Sequence, residues 1–255
     1  RAPSHPRQTD CESCQHSPVA ARDVLTAVRI GASEWQYATP TVIQPCSPLT
    51  ARFQDGDVHM HGIIFTALKE FVIDTYDKAT WDRICDEAGV SGKQYLPLSA
   101  YPDEELVALV DAAVPISELE QPALLQAFGR SIVPQLVDMY GIYIDDSWTG
   151  LELIENVEGT IHEALRSGNS LEYEPPAISA TRVDDDVVVV RYGSSRGLCD
   201  VAKGLIEGIG DYYSESYDIY ERQCLHDGAA ACELVAVSDG TSRQRANSLI
   251  DRARE

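Results

Sequence analysis

The sequence predicts an α+β fold: a helical N-terminal part packed on a small antiparallel sheet of ββαββ order. Three features carry that prediction. Apolar residues recur at helical spacing from residue 62 to about residue 167. After Pro175-Pro176 the helical period gives way to strand-like patterning. The two strand pairs that follow each have a turn rich in Asp or Gly, and one helix separates them.

The elements follow in order. Over 62–75, Ile63, Ile64, Ala67, Leu68, Phe71 and Val72 form one helical stripe. A second helix runs from about Thr80, as N-cap, to Gly89. A third spans about 102–113, after Pro102. Ser117-Glu118-Leu119-Glu120 has the capping-box pattern and opens a helical region that reaches Tyr140, with a break at Pro134. A further helix covers 149–167 and ends at Ser167-Gly168. Strands follow over 178–183 and 187–192, with Asp184-Asp185-Asp186 as their turn. A helix over 196–213 precedes strands near 218–224 and 231–237, joined through His226-Asp227-Gly228. No internal repeat is visible.

The chain has 255 residues, 44% of them apolar, enough for a substantial core. Its formal charge is −21, so its surface repels phosphate backbones and anionic lipid. Nucleic-acid and membrane partners are not expected. No run of about eighteen apolar residues reads as a membrane span, and no leader-like segment opens the chain. Seven cysteines are an odd and dilute set, which fits a reducing cytoplasm better than a disulfide scaffold. The charge is uneven. Residues 1–59 hold five bases and six acids; residues 60–255 hold fifteen and thirty-five. The first stretch shows neither apolar period and reads as a disordered or upstream extension, with the module proper over 60–240 and a charged tail over 241–255. The sharper alternative for the extension is a metal site at Cys11, Cys14 and His16, although a lone CxxC lacks the second ligand pair of a zinc finger.

His162 is one of only three histidines after residue 59. On its helix, Leu151, Ile154, Val157, Ile161 and Leu165 mark the apolar face. Eight residues after Ile154, His162 is turned roughly 80° from it, at the edge of that face. It is either a boundary histidine satisfied by backbone or an axial metal ligand beside an apolar wall, as haem iron requires. Gly159 could remove bulk beside a flat ligand or simply weaken the helix. His61, by contrast, stands at the start of the module and is a poor candidate for burial. Tyr192, Ser194 and Arg196 follow the apolar strand Val187–Val190 at alternate positions. Such a row either lies on a strand end at the surface or holds carboxylates, the guanidinium by a forked pair and the hydroxyls by single donors. Cys199, Cys224 and Cys232 flank the second hairpin and can converge, either as three reduced thiols or as ligands of a tetrahedral zinc that needs one more donor. Cys85 reads as core. No nucleophile elbow, phosphate loop or carboxylate pair points to catalysis.

Taken in order, these residues resemble the H-NOX (haem nitric oxide/oxygen-binding) sensor domain over residues 60–237. Met60-His61-Gly62-Ile63-Ile64-Phe65 is similar to that family's opening, Phe128-Gly129-Arg130 to its central motif, and Asn156–His162 to its proximal-ligand segment. Pro175-Pro176 and a complete YxSxR at Tyr192, Ser194 and Arg196 follow.

The resemblance implies haem b between the two parts. His162 would be the iron ligand, Tyr192, Ser194 and Arg196 the propionate holders, and Pro176 a residue pressing on the porphyrin. It implies that Val201 stands where oxygen-binding relatives place a donating tyrosine, with Leu68 and Ile132 at the supporting positions and Ile64, Leu136 and Leu205 completing the wall. Such a wall selects nitric oxide and CO over O2, unless a register one residue off brings Thr66 or Tyr140 into reach. A peroxidase-like enzyme would need a distal acid–base group, which this wall lacks. Zinc-bearing relatives have a histidine three residues before the middle cysteine. Here Glu221 occupies that place, so Glu221 or His226 would be the fourth ligand beside Cys199, Cys224 and Cys232. The implied output is a separate signalling protein, such as a histidine kinase or a cyclic-di-GMP enzyme. The rival expectation is a haem-free regulatory module of the same fold that works through zinc or its thiols.

Overall fold

The structure is a computed structural model and describes residues 59–167 and 175–254. The extension over 1–58, with Cys11, Cys14 and His16, and the helix end at Gly168 lie outside the described residues. The remainder is α+β, as expected. A short β1 (His59–His61) pairs antiparallel with β2 (Ala100–Pro102), and β1 leads straight into α1 (Gly62–Thr75). The helical part continues with α2 (Lys78–Glu87), α3 (Asp103–Ser117), α4 (Gln121–Ser131) and α5 (Val133–Tyr140). Next come α6 (Gly150–Asn156), a π turn over Glu158–His162, and α7 (Glu163–Ser167). The sheet comprises β3 (Ala177–Asp184), β4 (Val187–Gly193), β5 (Tyr217–Gln223) and β6 (Cys232–Ser238), with α8 (Cys199–Tyr213) between its two hairpins. Its order is β3-β4-β6-β5, all antiparallel.

Several helix boundaries differ from the sequence expectation for local reasons. Asp77, not Thr80, caps α2; its carboxylate accepts from the Thr80 backbone N–H at 2.7 Å. Ser117 ends α3 instead of opening α4: its hydroxyl donates back to the Val114 carbonyl, and Glu118 turns left-handed at φ +57°. The capping box that does form is Thr149 with Glu152, at the start of α6. The break near Pro134 occurs, with Ile132 between α4 and α5.

The central strands are buried on both faces. Val188, Val190, Leu234 and Ala236 face α6 and α8, whereas Val187, Val189, Val235 and Val237 face the other way. The second face is covered by α9 (Arg243–Ala253), through Ala246 and Ile250. The segment expected as a charged tail is therefore an amphipathic helix, pinned at its rim by Arg243 on Asp218, Arg245 on Asp184 and Arg254 on Glu233.

The α4–α8 seam is the tightest between the helical part and the sheet part. A Cβ on Gly129 would lie 2.3 Å from the Val201 carbonyl oxygen, one on Gly204 2.0 Å from that of Gln126, and one on Gly208 2.4 Å from that of Arg130. Backbone meets backbone there, which gives the Phe128-Gly129-Arg130 motif its physical reason. Among the described residues no helix is long and apolar enough to cross a membrane.

Candidate functional site

A cavity of about 220 Å³ opens between the helical part and the sheet. Its wall is almost wholly apolar. Val133, Leu136, Val137 and Tyr140 follow one face of α5, while Leu198, Val201, Ala202 and Leu205 come from the start of α8. The polar groups on the wall are few: His61, Tyr140, His162, Tyr192, Ser194 and Arg196.

His162 lies on that wall with Val157, Ile161 and Leu165. A regular helix would set Ile161 and His162 about 100° apart. Here the helix widens into a π turn, closed by His162 N–H on the Val157 carbonyl at 3.1 Å, and the broader turn lets both residues face the cavity. Gly159 is exposed, away from the cavity, and a Cβ there would meet nothing within 4 Å, so it makes no room for a ligand.

The His162 side chain is 13% exposed, and its Nδ1 lies 2.9 Å from Glu158 Oε2. The same carboxylate accepts from the Ile178 backbone N–H at 3.2 Å and pairs with Arg166 at 2.6 Å. Burial pushes the His162 pKa down, and Glu158 only partly restores it. Burial would raise the Glu158 carboxyl, but the bonds from His162 and Arg166 outweigh it and hold the group below the usual carboxylate range. Burial thus favours the neutral imidazole, and an Nδ1 that donates to the Glu158 carboxylate leaves the lone pair on Nε2.

Tyr192, Ser194 and Arg196 come together at the wall, as does Pro176. Tyr192 is buried, which raises its phenol pKa; the Ser194 hydroxyl accepts from the Arg196 backbone N–H at 3.2 Å. Arg196 has a partner that the sequence did not disclose. Its Nε donates to Asp103 at 2.8 Å, and one Nη donates to the His59 carbonyl, also at 2.8 Å. Both charged side chains are buried.

Ile64, Leu136, Val201 and Leu205 reach the cavity. Leu68 and Ile132 do not: they pack in the helical core behind it, at 3% and 1% exposure. Leu68 sits on the apolar face of α1, but on its core side, and Ile132 at the junction of α4 and α5 turns to the same core. The Thr66 hydroxyl is engaged with the Ile63 carbonyl at 3.0 Å and stays off the wall, whereas Tyr140 stands on it. His61, expected to be exposed, is 2% exposed and lines the cavity. Its Nδ1 accepts from the Ile63 N–H as the cap of α1, and burial lowers its pKa. Its place immediately before an apolar helical stripe was the signal for that cap.

A second constellation lies at the start of α8. Cys199, Cys224 and Cys232 are buried, with sulfur separations of 3.8 Å from Cys199 to Cys224 and 3.7 Å from Cys224 to Cys232. A bulge between Glu221 and Gln223 turns Glu221 and Cys224 to one face of the sheet, so the Glu221 carboxylate joins the three sulfurs. Neighbouring thiols and the Leu225 N–H push the Cys232 thiol down, whereas burial pushes Cys224 up. Lys203 pairs with Glu221 at 2.9 Å and with Asp200 at 3.0 Å. His226 stands instead with Cys199 and Asp200, and its Nε2 bonds the Gly197 carbonyl at 2.8 Å. Cys85 is far from this group, in the helical core.

The family model described as haem-NO-binding matches residues 61–221. An H-NOX protein from Shewanella oneidensis in the Fe(II)NO state is similar to this chain at a TM-score of 0.66 and 23% identity, covering 71% of this chain and 100% of its own. A triple mutant from the same organism, in the Fe(II) state, gives 0.66 at 22%, covering 72% and 98%. The unliganded Fe(II) H-NOX protein from K. algicida gives 0.61 at 19%, covering 71% and 98%. No curated protein matches the chain. At these identities the structural likenesses speak for the fold.

Proposed function

The chain belongs to the haem-NO-binding family, and from that membership we propose that it holds haem b in the cavity through His162 and reports nitric oxide to a separate protein. One observation carries the reading: a nearly buried imidazole on an otherwise apolar wall, with its Nδ1 committed to a carboxylate. That is the donor set a haem iron asks of a protein.

When bound, the haem supplies a ferrous iron at which a diatomic gas is received. His162 presents Nε2 to it, and Glu158 fixes the tautomer. Tyr192 and Ser194, with Arg196 held beside them by Asp103, receive the propionates, and Pro176 contributes a rigid apolar contact. Val201, Leu205, Ile64 and Leu136 exclude water. A wall of this kind favours nitric oxide and CO over O2, which depends on a hydrogen-bond donor. Tyr140 is the rival donor. The π turn that ends at His162, and α7 after it, would be the two-state element able to alter the surface read by a histidine kinase or a cyclic-di-GMP enzyme.

The thiol cluster supports a second metal. Four ligands about 2.3 Å from a tetrahedral zinc stand about 3.8 Å apart, close to the sulfur separations here. Glu221, among the sulfurs, is the better fourth ligand than His226, and Lys203 offsets the surplus negative charge.

Expression with abundant haem precursor tests the whole reading. The purified protein should show a Soret band, should bind CO and nitric oxide when reduced, and should carry about one zinc per chain by metal analysis. His162→Ala should lose the five-coordinate ferrous spectrum. Colourless protein overturns the haem assignment. A stable oxy spectrum in air overturns the gas selectivity, and its loss in Tyr140→Phe would identify the donor.

A further inference from the structure

We propose that Glu158 is the positioning residue that sets the strength of the iron–His162 bond, and that Arg166 opposes it. This rests on His162 being the iron ligand. The Glu158 carboxylate is fixed from three directions. One oxygen takes both His162 Nδ1 and the Ile178 N–H, and the other takes Arg166. Arg166 is anchored in turn, donating to the Pro176 carbonyl at 3.4 Å. Glu158 and His162 are the first and last residues of the π turn, so the pair closes the same turn that brings the imidazole to the cavity.

The chemistry follows from the shared carboxylate. An anionic oxygen accepting from Nδ1–H pushes electron density into the ring and makes Nε2 a stronger donor. The Arg166 guanidinium draws negative charge from that carboxylate and weakens the push. The two residues therefore act in opposite senses on one bond, and the balance decides how readily nitric oxide detaches His162. The contact with Ile178 ties the same carboxylate to the start of β3, so displacement of the imidazole is felt at the strand next to Pro176.

Resonance Raman spectra of the ferrous holoprotein test this. Glu158→Gln, which keeps the shape and removes the charge, should shift the iron–histidine stretch to lower frequency. It should also raise the ferric/ferrous potential and enlarge the five-coordinate fraction of the nitric oxide complex. Arg166→Leu should move all three the other way, and its effect should vanish in the Glu158→Gln background. Loosened packing would instead shift both variants in one direction. An unshifted Glu158→Gln, or same-sign shifts, overturns the inference and leaves the haem assignment standing. A colourless wild type overturns both.

Discussion

Arg196 and Asp103 meet across 93 residues of sequence, with both side chains buried. Arg196 would keep the His59 carbonyl but lose this counter-charge, so Asp103→Asn should destabilise the protein, by at most about 3–5 kcal/mol. Chemical denaturation of the variant against the wild type measures it. The row Tyr192, Ser194, Arg196 was legible because strand alternation is local. Asp103 was not, because nothing in the sequence of a helix start announces a partner so distant. His61 departs from its expected exposure for another reason: nearness to the start of a module does not expose a residue that caps an apolar stripe, because the cap is drawn inward with it. For Leu68, periodicity identified the buried face of its helix, whereas Ile132 rested on the resemblance alone and stands at the junction of α4 and α5. Periodicity cannot distinguish the side of that face that meets a cavity from the side that meets another helix.

At the scale of elements, the α4–α8 seam makes a paired prediction. Gly204→Ala places a methyl group 2.0 Å from the Gln126 carbonyl oxygen, and forced repacking of this kind costs about 1–3 kcal/mol. Gly159→Ala meets open space and should be neutral or stabilising by up to about 1 kcal/mol, as for glycine replaced within a helix. Thermal unfolding of the two variants separates them. Hairpins and most helices were readable from period and turn chemistry. The π turn was not, since a one-residue widening leaves no compositional mark. The helix α9 left an indirect one: four consecutive valines in β4 require cover on both faces of the sheet, and a tail without structure would not supply it.

Across the whole molecule, the charge of −21 resides almost entirely in residues 60–255. Self-repulsion on that scale opposes the compact state and is screened by salt. The melting temperature should therefore rise as ionic strength goes from about 0.01 M to about 0.15 M, where the Debye length shrinks from about 30 Å to about 8 Å; a flat or falling profile would show that the ion pairs along α9 outweigh the repulsion. The glycine seam has a consequence at this same scale. With main chain pressed on main chain, α4 and α8 have no side-chain cushion over which to slide, and they act as a welded chassis for both lobes. The stretch from Glu158 to Ser167 buries no residue in that frame and is tied to it chiefly through the Glu158 knot.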